Sequence, residues 1–306
     1  KRRMDKKVIV ITGPTASGKT SLAIEVALKL NTEIISADSR QIFKLLDIGT
    51  AKPDKEQLKK VKHHCIDILY PNEEYDVSLF ESDARKIMDE LFTNGKIPVV
   101  VGGSGLYIKA VVDGIFSGPT KDEEFRAKMD QLKATHGEEA LYAILQEKDP
   151  VSAGKMLPGN WKRGVRALEV LHITGVPIWK HHEEQTTQND IQYFQFALDL
   201  DRKILYKRIE DRVDSMIELG LEEEVKKVLK MGYSANLNSL NTVGYKEMIN
   251  YICNDYNLDR CIELIKRNTR RYAKRQLTWF RANKDIKWLK HDSNNLQNEI
   301  ISLVKQ

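Results

Sequence analysis

The chain has 306 residues, of which 41% are hydrophobic and 30% are charged, as is usual for a globular protein with a large buried core. No apolar run approaches the roughly 20 residues that cross a bilayer and we see no signal peptide, so we expect a cytoplasmic protein that does not bind membranes. The net charge is +5, and the three distant cysteines have no zinc spacing, which argues against a disulfide scaffold or a zinc domain.

The first predicted strand, Val8–Ile11, is followed by a loop and then by a helix that begins near Thr20. The loop, residues 13–20, reads GPTASGKT and fits the phosphate-binding pattern G-x-x-x-x-G-K-[ST]. In such a loop the backbone N–H groups point at one anion, Lys19 reaches the terminal phosphate and the Thr20 hydroxyl ligates Mg²⁺. The candidate residues for binding a diphosphate or triphosphate are Gly13, Thr15, Ala16, Ser17, Gly18, Lys19 and Thr20.

Over the first 120 residues short apolar runs alternate with helical patterns, which is typical of parallel β-α units. The strands are predicted at Val8–Ile11, Glu33–Ser36, His64–Ile68 and Ile97–Val101. The helices are predicted at Thr20–Leu30, Lys55–Val61, Val77–Thr93 and Gly105–Asp113. We therefore expect an α/β fold with a P-loop NTPase-like parallel sheet flanked by helices.

Asp38 stands at the carboxyl end of the second predicted strand, in the run Ser36–Gln41. Ligands of doubly wound sheets bind outside the carboxyl ends of the strands, so Asp38 is expected to face the same crevice as the phosphate loop. Its carboxylate could hold Mg²⁺ through water or act as a general base. The structural alternative is that Asp38 caps a following helix.

The fourth predicted strand runs into Gly102-Gly103-Ser104-Gly105. A P-loop NTPase often ends this strand with an acidic residue for Mg²⁺, so the glycines argue against routine ATP hydrolysis. They indicate either a close approach of the backbone to a bulky ligand or a tight turn from strand to helix.

Residues 117–185 are charged, helical in pattern and free of strand signals. The segment starts at Ser117-Gly118-Pro119 and ends near the polar run Glu183–Asp190, and both are typical of domain boundaries. A further strand is predicted at Tyr193–Leu198, before long helices from Arg202 onward. We therefore expect residues 1–116 and 186–306 to form the α/β catalytic core with its C-terminal helices, and residues 117–185 to form an inserted all-helical domain. Inserted helical domains commonly clamp a substrate over an α/β site.

Ten Lys or Arg and a single acidic residue, Asp285, occur between Lys266 and Lys290. Five of the basic residues recur at spacings of three and four and so share a helix face: Arg267, Arg270, Arg271, Lys274 and Arg275. Three aromatic residues are interleaved with them: Tyr272, Trp279 and Phe280. The run indicates either a solvated basic helix with a buried aromatic stripe or, beside a phosphate site, a nucleic-acid surface.

Taken together, these motifs resemble those of the tRNA dimethylallyltransferases, in the shorter bacterial form that lacks a C-terminal zinc finger. The resemblance covers almost the whole chain in the expected order. The matching segments are GPTASGKT (13–20), ISADSRQIF (35–43), DIGTAKP (47–53), VGGSGLY (101–107), RALEV (166–170), VGYKEM (243–248) and TRRYAKRQLTWFR (269–281).

The resemblance implies transfer of a dimethylallyl group from dimethylallyl diphosphate to N6 of the adenosine directly 3′ of the anticodon, position 37, in tRNAs that read codons beginning with U. Pyrophosphate is released and nothing is phosphorylated. The implied partners are a tRNA anticodon stem-loop and dimethylallyl diphosphate, with Mg²⁺ as cofactor and no obligatory protein partner. By similarity Asp38 is the base that takes the N6 proton, and the target base has to leave its stack to reach the diphosphate.

The resemblance also implies roles for residues outside these motifs. Arg208 matches an arginine that clamps the diphosphate, and Arg212 lies one helical turn further on; on the residues alone, either could instead pair with an acidic neighbour. The implied catalytic set is Asp38, Lys19, Thr20 and Arg208. The implied tRNA contacts are Asp38, Ser39, Arg40, Gln41, Ser104, Arg126, Lys162, Arg163, Arg166, Asn241, Thr242, Val243, Gly244, Tyr245, Lys246, Arg271, Lys274 and Arg275. Two positions depart from the family pattern: Ser104 replaces the usual Thr, and Phe43 replaces a common Tyr.

Three other functions fit part of the sequence. A P-loop small-molecule or nucleoside kinase would explain the loop and the insertion, but neither the basic run nor the glycines after the fourth strand. A prenyltransferase that acts on free AMP or ATP would not need so large a basic surface. An RNA-binding module that uses a nucleotide as a switch would not need Asp38.

Overall fold

The computed structural model of the chain describes residues 6–116, 118–184 and 190–306. Within these ranges six strands form one sheet, in the order β3-β2-β4-β1-β5-β6, and every neighbouring pair is parallel. The strands are β1 Lys6–Thr12, β2 Ile34–Ser36, β3 His63–His64, β4 Val99–Gly102, β5 Ile191–Asp199 and β6 Ile286–Lys290.

Helices make up most of the remaining described chain. In the first part of the chain they are α1 Lys19–Leu30, α2 Lys55–Lys60, α3 Val77–Thr93 and α4 Gly105–Asp113. They continue with α5 Glu123–His136, α6 Glu138–Lys148, α7 Pro150–Gly154, α8 Trp161–Thr174 and α9 Ile178–Glu184. After β5 they are α10 Arg202–Glu218, α11 Leu221–Lys230, α12 Tyr245–Ile252, α13 Leu258–Arg281 and α14 Leu296–Lys305.

The central strand β1 is apolar because both of its faces are covered by helices. Val8 and Val10 point to one face, where they pack in a cluster with residues of α3 and α4. Ile9 and Ile11 point to the other face, toward residues of α1 and α14. Side chains alternate across a strand, so a strand buried on both sides reads as a continuous apolar run.

The helices after β5 form a second core with the loop that follows β2. Ile42 and Leu46 of this loop are buried in one cluster with Val225 of α11, Tyr245 of α12 and Ile265 of α13. This packing fixes the loop after Asp38 against α11, α12 and α13. It therefore determines where the residues at the carboxyl end of β2 lie.

The chain divides into two compact units at residues 113/114 and 188/189. The first contains the sheet, α1–α4 and α10–α14. The second, Gly114–Gln188, contains α5–α9, and its described residues form no strand. Its core is made by Leu141, Leu145, Trp161, Val165 and Leu168. The predicted fold class, a parallel α/β sheet with an all-helical insertion, is confirmed.

The strand bounds differ from the prediction by one or two residues, except at β3 and β6. β3 is limited to His63–His64 rather than His64–Ile68, because Cys65 and Asp67 adopt positive φ angles that end the extended conformation. β6 was not predicted, although Ile286 and Leu289 are buried. The strand is short, and the basic residues in and around it interrupt the apolar pattern by which a strand is recognised. None of the described helices is both long and apolar enough to cross a membrane.

Candidate active site

The phosphate loop follows the carboxyl end of β1. In the sheet, β4 and then β2 lie on one side of β1, and β5 lies on the other side. Three of its residues have positive φ: Gly13 (139°), Ala16 (63°) and Gly18 (94°). These conformations turn the backbone around a concave space at the start of α1. The first turn of α1 has no acidic residue, so no carboxylate of that turn repels a bound anion or competes with it for the backbone N–H groups.

Three cationic side chains surround this loop. Nη1 of Arg208 donates to the carbonyl oxygen of Ser17 at 3.3 Å, and Nη1 of Arg212 donates to Oγ1 of Thr15 at 3.1 Å. Nζ of Lys19 donates to the carbonyl oxygen of Pro14 at 3.1 Å. Burial and the charge of Arg212 lower the pKa of Lys19 to about 8, against the opposing effect of Asp38. A polyanion would relieve this repulsion.

Asp38 is fixed by the turn that follows β2. Its Oδ1 accepts the backbone N–H groups of Arg40 at 2.8 Å and of Gln41 at 3.2 Å. The residues after Asp38 form turns rather than a helix, so Asp38 holds a turn and does not cap a helix. A hydrogen bond connects the start of this turn to β4, because the N–H of Ala37 donates to the carbonyl oxygen of Val101 at 2.7 Å.

The glycines after β4 are explained by close contacts within the protein. A Cβ atom at Gly102 would collide with the backbone oxygen of Ala37, one at Gly103 with the side chain of Gln276, and one at Gly105 with the indole of Trp279. The ends of β2 and β4 and the helix α13 therefore approach each other more closely than larger residues would allow. The contacts involve protein atoms, and no bulky ligand is needed to account for them.

Asp38 and the phosphate loop line one cavity of about 910 Å³. The candidate site residues that line it are Thr15, Ala16, Gly18, Lys19, Thr20, Asp38, Ser39, Arg40, Gln41, Arg212, Asn241, Thr242, Val243, Gly244 and Arg275. Tyr272 also lines it, and burial together with the charge of Asp38 raises the pKa of Tyr272 to about 12. Residues from the phosphate loop, the start of α1, the end of β2, α10, α13 and the segment before α12 thus meet in one space. It is large enough for a nucleobase and a short prenyl diphosphate.

Other predicted RNA contacts have partners inside the protein. Oγ of Ser104 accepts the backbone N–H of Ser39 at 3.0 Å. Nε2 of Gln41 donates to the carbonyl oxygens of Thr50 and Ala51 at 3.2 and 3.1 Å. Tyr245 is fully buried. In this structure these three side chains therefore have structural contacts, and their predicted contacts with RNA stay predictions.

The basic candidates are distributed over both units. In the first unit Lys246, Arg271, Lys274 and Arg275 are exposed. In the second unit Lys162 and Arg163 are exposed, whereas two other predicted RNA contacts, Arg126 and Arg166, share the carboxylate of Glu169.

Glu169 is fully buried at its side chain. Its oxygens accept Nε and Nη2 of Arg126 at 2.7 and 2.9 Å, Nη1 of Arg166 at 2.6 Å and the N–H of Asp122 at 3.0 Å. Burial opposes ionisation of this group, but the hydrogen bonds outweigh it and lower the pKa of Glu169 to about 2. Both guanidinium groups are therefore oriented by one buried carboxylate.

Sequence reasoning missed three residues that shape the site. Gln276 bonds to the phosphate loop, with its Oε1 accepting the N–H of Thr15 at 2.9 Å. Glu224 accepts the N–H groups of residues 47–49 at 2.8–3.2 Å and the hydroxyl of Tyr245 at 2.5 Å. Lys52 donates to the carbonyl oxygen of Phe43 at 2.6 Å and pairs with Asp47 and Asp67. Lys52 and Gln276 lie within two of the matching segments, residues 47–53 and 269–281, although the resemblance assigns them no role. Glu224 lies in the polar helix α11, and only its partners reveal it.

A phosphate loop at the end of the central strand of a parallel sheet, facing a fixed carboxylate across a cavity lined with arginines, defines a P-loop-type α/β protein with an anion-binding active site. Two family models match the chain: "Isopentenyl transferase" over residues 6–68 and "IPP transferase" over residues 41–283. The chain belongs to the IPP transferase family, the tRNA dimethylallyltransferases, which are prenyltransferases. This confirms the family and the enzyme class that the motifs predict, and sets the kinase alternative aside.

Curated relatives agree over the full length. The chain is 45% identical over 300 residues to a tRNA dimethylallyltransferase of Acetivibrio thermocellus, which covers 97% of this chain and 96% of the relative. It is 42% identical over 298 residues to one of Oceanobacillus iheyensis, covering 97% and 95%.

Solved structures give the same result. The full-length tRNA isopentenylpyrophosphate transferase of Bacillus halodurans matches with a TM-score of 0.72 and 37% identity, covering 98% of this chain and 95% of that one. A eukaryotic dimethylallyltransferase acting on tRNA matches with a TM-score of 0.83 and 30% identity, covering 98% and 81%.

Proposed function

We propose that this protein transfers the dimethylallyl group of dimethylallyl diphosphate to N6 of adenosine 37, directly 3′ of the anticodon, in tRNAs that read codons beginning with U. The observation that carries the proposal is the single cavity lined by both Lys19 of the phosphate loop and Asp38. Such a cavity can hold a diphosphate at one end and a nucleobase at the other. The names of the relatives support this choice of donor and acceptor, and because the acceptor is tRNA we expect the reaction to occur in the cytoplasm.

The reaction replaces a carbon–oxygen bond by a carbon–nitrogen bond and moves one proton from N6 to a base. The bond between the allylic carbon and the diphosphate oxygen breaks, its electron pair leaves with pyrophosphate, and N6 of the adenine bonds to that carbon. N6 then gives up one proton, which we assign to Asp38. The lone pair of N6 is delocalised into the ring, so a carboxylate placed to accept the proton favours the attack.

The diphosphate is assigned to the phosphate loop and its basic neighbours. The N–H groups at the start of α1 and the ammonium group of Lys19 stabilise the charge that develops on the leaving group. Arg208 and Arg212 already contact the loop, at Ser17 and Thr15, and would clamp the same phosphates.

The donor atoms beside the loop fit a magnesium ion bound together with the diphosphate. The Thr20 residue lines the cavity, and oxygen ligands are the ones that Mg²⁺ prefers. Among the described residues no cluster of three His, Cys, Asp or Glu side chains is placed to hold a metal, so we assign the ion to the Thr20 hydroxyl and phosphate oxygens. When bound, the ion neutralises charge on the departing pyrophosphate.

The acceptor is a base that has left its stack. Unstacking costs a few kcal/mol, and contacts between the RNA backbone and exposed basic groups offset this cost. Lys246, Arg271, Lys274 and Arg275 supply such groups in the first unit. Lys162 and Arg163 supply them in the insertion.

The test is transfer of radiolabelled dimethylallyl diphosphate, with Mg²⁺, to an anticodon stem-loop or to AMP. Label in the stem-loop is the expected result. Label in AMP alone would instead make this a prenyltransferase of free nucleotides. Absence of transfer to either acceptor, together with ATP-dependent phosphorylation of a small molecule, would overturn the proposal.

Asp38→Asn tests the assigned base. Asparagine keeps an oxygen that can accept the N–H groups of Arg40 and Gln41, so the turn is retained while the base is lost. We expect transfer to fall by at least about a hundredfold, with diphosphate binding nearly unchanged. Asp76→Asn is the matched control, because Oδ1 of Asp76 also accepts two backbone N–H groups, those of Ser78 and Leu79. Normal turnover by Asp38→Asn would show that Asp38 is not the base.

A further inference from the structure

Gln276 connects three parts of the active site that are far apart in the sequence. It lies in α13 and is only 6% exposed. Its Oε1 accepts the N–H of Thr15 in the phosphate loop at 2.9 Å, and its Nε2 donates to the carbonyl oxygen of Gly103 after β4 at 2.9 Å. One amide group thus satisfies a partly buried donor and a buried acceptor, which a side chain with only one of these functions cannot do.

The phosphate loop is held between α10 and α13 at this point. The N–H of Thr15 donates to Gln276, and the hydroxyl oxygen of Thr15 accepts from Arg212 of α10. The next residue, Ala16, packs in a buried cluster with Ile209 of α10 and Ala273 of α13. The two helices are also joined by ion pairs between Arg270 and Glu210 and between Lys266 and Asp214.

The same helix α13 presents Arg271, Lys274 and Arg275 to solvent, next to the residue that bonds to the loop. A shift of α13 when a polyanion binds its exposed face would be passed to the phosphate loop by the Gln276 hydrogen bond to Thr15 and by the packing of Ala273 in one cluster with Ala16. Conversely, a diphosphate that shifts the loop would also shift α13. Two ligands that favour the same arrangement of one element assist each other's binding.

We infer that Gln276 is a positioning residue that couples the binding of RNA on α13 to the binding of the diphosphate at the phosphate loop. The inference rests on the proposed function for the identity of the RNA. It predicts that each ligand raises the affinity for the other, by the 5- to 150-fold that is typical of coupled sites.

The test measures the dissociation constant of inorganic pyrophosphate with and without an unmodified anticodon stem-loop, in the presence of Mg²⁺. In the unaltered protein the stem-loop is expected to tighten pyrophosphate binding at least about fivefold. In Gln276→Met, which keeps the length of the side chain and loses both hydrogen bonds, the ratio is expected to fall toward one. Thr278→Ala, on the same helix, is the control and is expected to keep the ratio of the unaltered protein.

Gln276→Glu keeps the acceptor for Thr15 and loses the donor to Gly103, so it also tests the inference if the Met variant does not fold. Its ratio is likewise expected to fall, because one of the two links is broken. A purely structural role would lower stability and leave the ratio unchanged. A ratio near one in the unaltered protein, or an unchanged ratio in a folded variant, would overturn the inference. Failure of the unaltered protein to prenylate RNA would overturn the proposed function instead.

Discussion

Lys19 experiences opposing influences from its surroundings. Burial and Arg212 disfavour its charged form, whereas Asp38 favours it. The result is a lysine with a pKa of about 8, which is charged at neutral pH but loses its proton within an accessible pH range. Because only the ammonium form attracts a phosphate, the affinity for the diphosphate becomes sensitive to pH.

We therefore predict that the affinity for dimethylallyl diphosphate, measured without RNA, falls about tenfold between pH 7 and pH 9, as the protonated fraction of Lys19 falls. Titration calorimetry at several pH values would measure it. Lys19→Arg is the control, because a guanidinium stays charged over this range and its profile should be flat. A flat profile for the unaltered protein would contradict the assignment.

At the scale of elements, the ends of β2 and β4 illustrate how backbone contact positions a side chain. Gly102 lies against the carbonyl oxygen of Ala37, the residue before Asp38. A side chain at Gly102 would push the two strand ends apart and move the carboxylate away from the cavity.

Gly102→Ala is predicted to lower the free energy of unfolding by about 1–3 kcal/mol, the usual range for overpacking, and to reduce transfer activity more than diphosphate binding. Chemical denaturation and the transfer assay would measure the two effects. Gly154→Ala is the matched control, since a Cβ there meets no atom within 4 Å, and it should be neutral. Equal behaviour of the two variants would argue against this packing constraint.

The insertion depends on a second local arrangement, the carboxylate of Glu169 between Arg126 and Arg166. Because the pKa of Glu169 is lowered from 4.5 to about 2 in the folded protein, its ionised form stabilises the fold above pH 4.5. This contribution is lost as the pH falls from 4.5 toward 2.

Glu169→Gln is expected to destabilise the insertion by about 2 kcal/mol at pH 7 and by much less near pH 2. Hydrogen exchange of the α8 amides at pH 7 would report the change locally. Glu139→Gln, at an exposed position of α6, should leave exchange unaltered. If both variants exchange alike, the buried carboxylate does not stabilise this unit.

At the scale of the whole molecule, a net charge of +5 conceals an uneven distribution, with ten Lys or Arg between residues 266 and 290. Part of this charge is neutralised within the protein, since Lys266 and Arg270 form ion pairs with α10. Arg271 and Lys274 are exposed, and the described residues include no ion pair for them. These two residues are therefore well placed on α13 to meet RNA phosphates, as is the exposed Arg275.

Affinity for the anticodon stem-loop is predicted to fall steeply with salt, and Arg271→Ala or Lys274→Ala should each reduce the slope of log Kd against log salt by about one. Fluorescence anisotropy between low and physiological salt would measure the slopes. Arg260→Ala is the control, because Arg260 pairs with Glu263 on the same helix. A slope unchanged in all three variants would place the RNA elsewhere.

The elements that could be predicted are those whose partners are close in sequence. The phosphate loop, the buried strand β1 and the helices Val77–Thr93 and Gly105–Asp113 were predicted with little or no error in their bounds, because strand, loop and helix are encoded by contiguous residues. β6 was missed, since a short edge strand within a basic run has no strong periodicity. The sequence placed Asp38 beside the phosphate loop through the rule for parallel sheets, and both line one cavity.

The sequence by itself determined the phosphate loop, the parallel α/β fold and the family, because each depends on local motifs and on apolar periodicity. Only the tertiary structure decided which candidate side chains face the cavity. Tyr245 is in the core, Glu169 orients two arginines of the insertion, and Gln276 reaches Thr15 across 261 positions of the chain. The physical reason is that a polar side chain in a helix has no periodic signature of its partner; the partner is set by how distant elements pack.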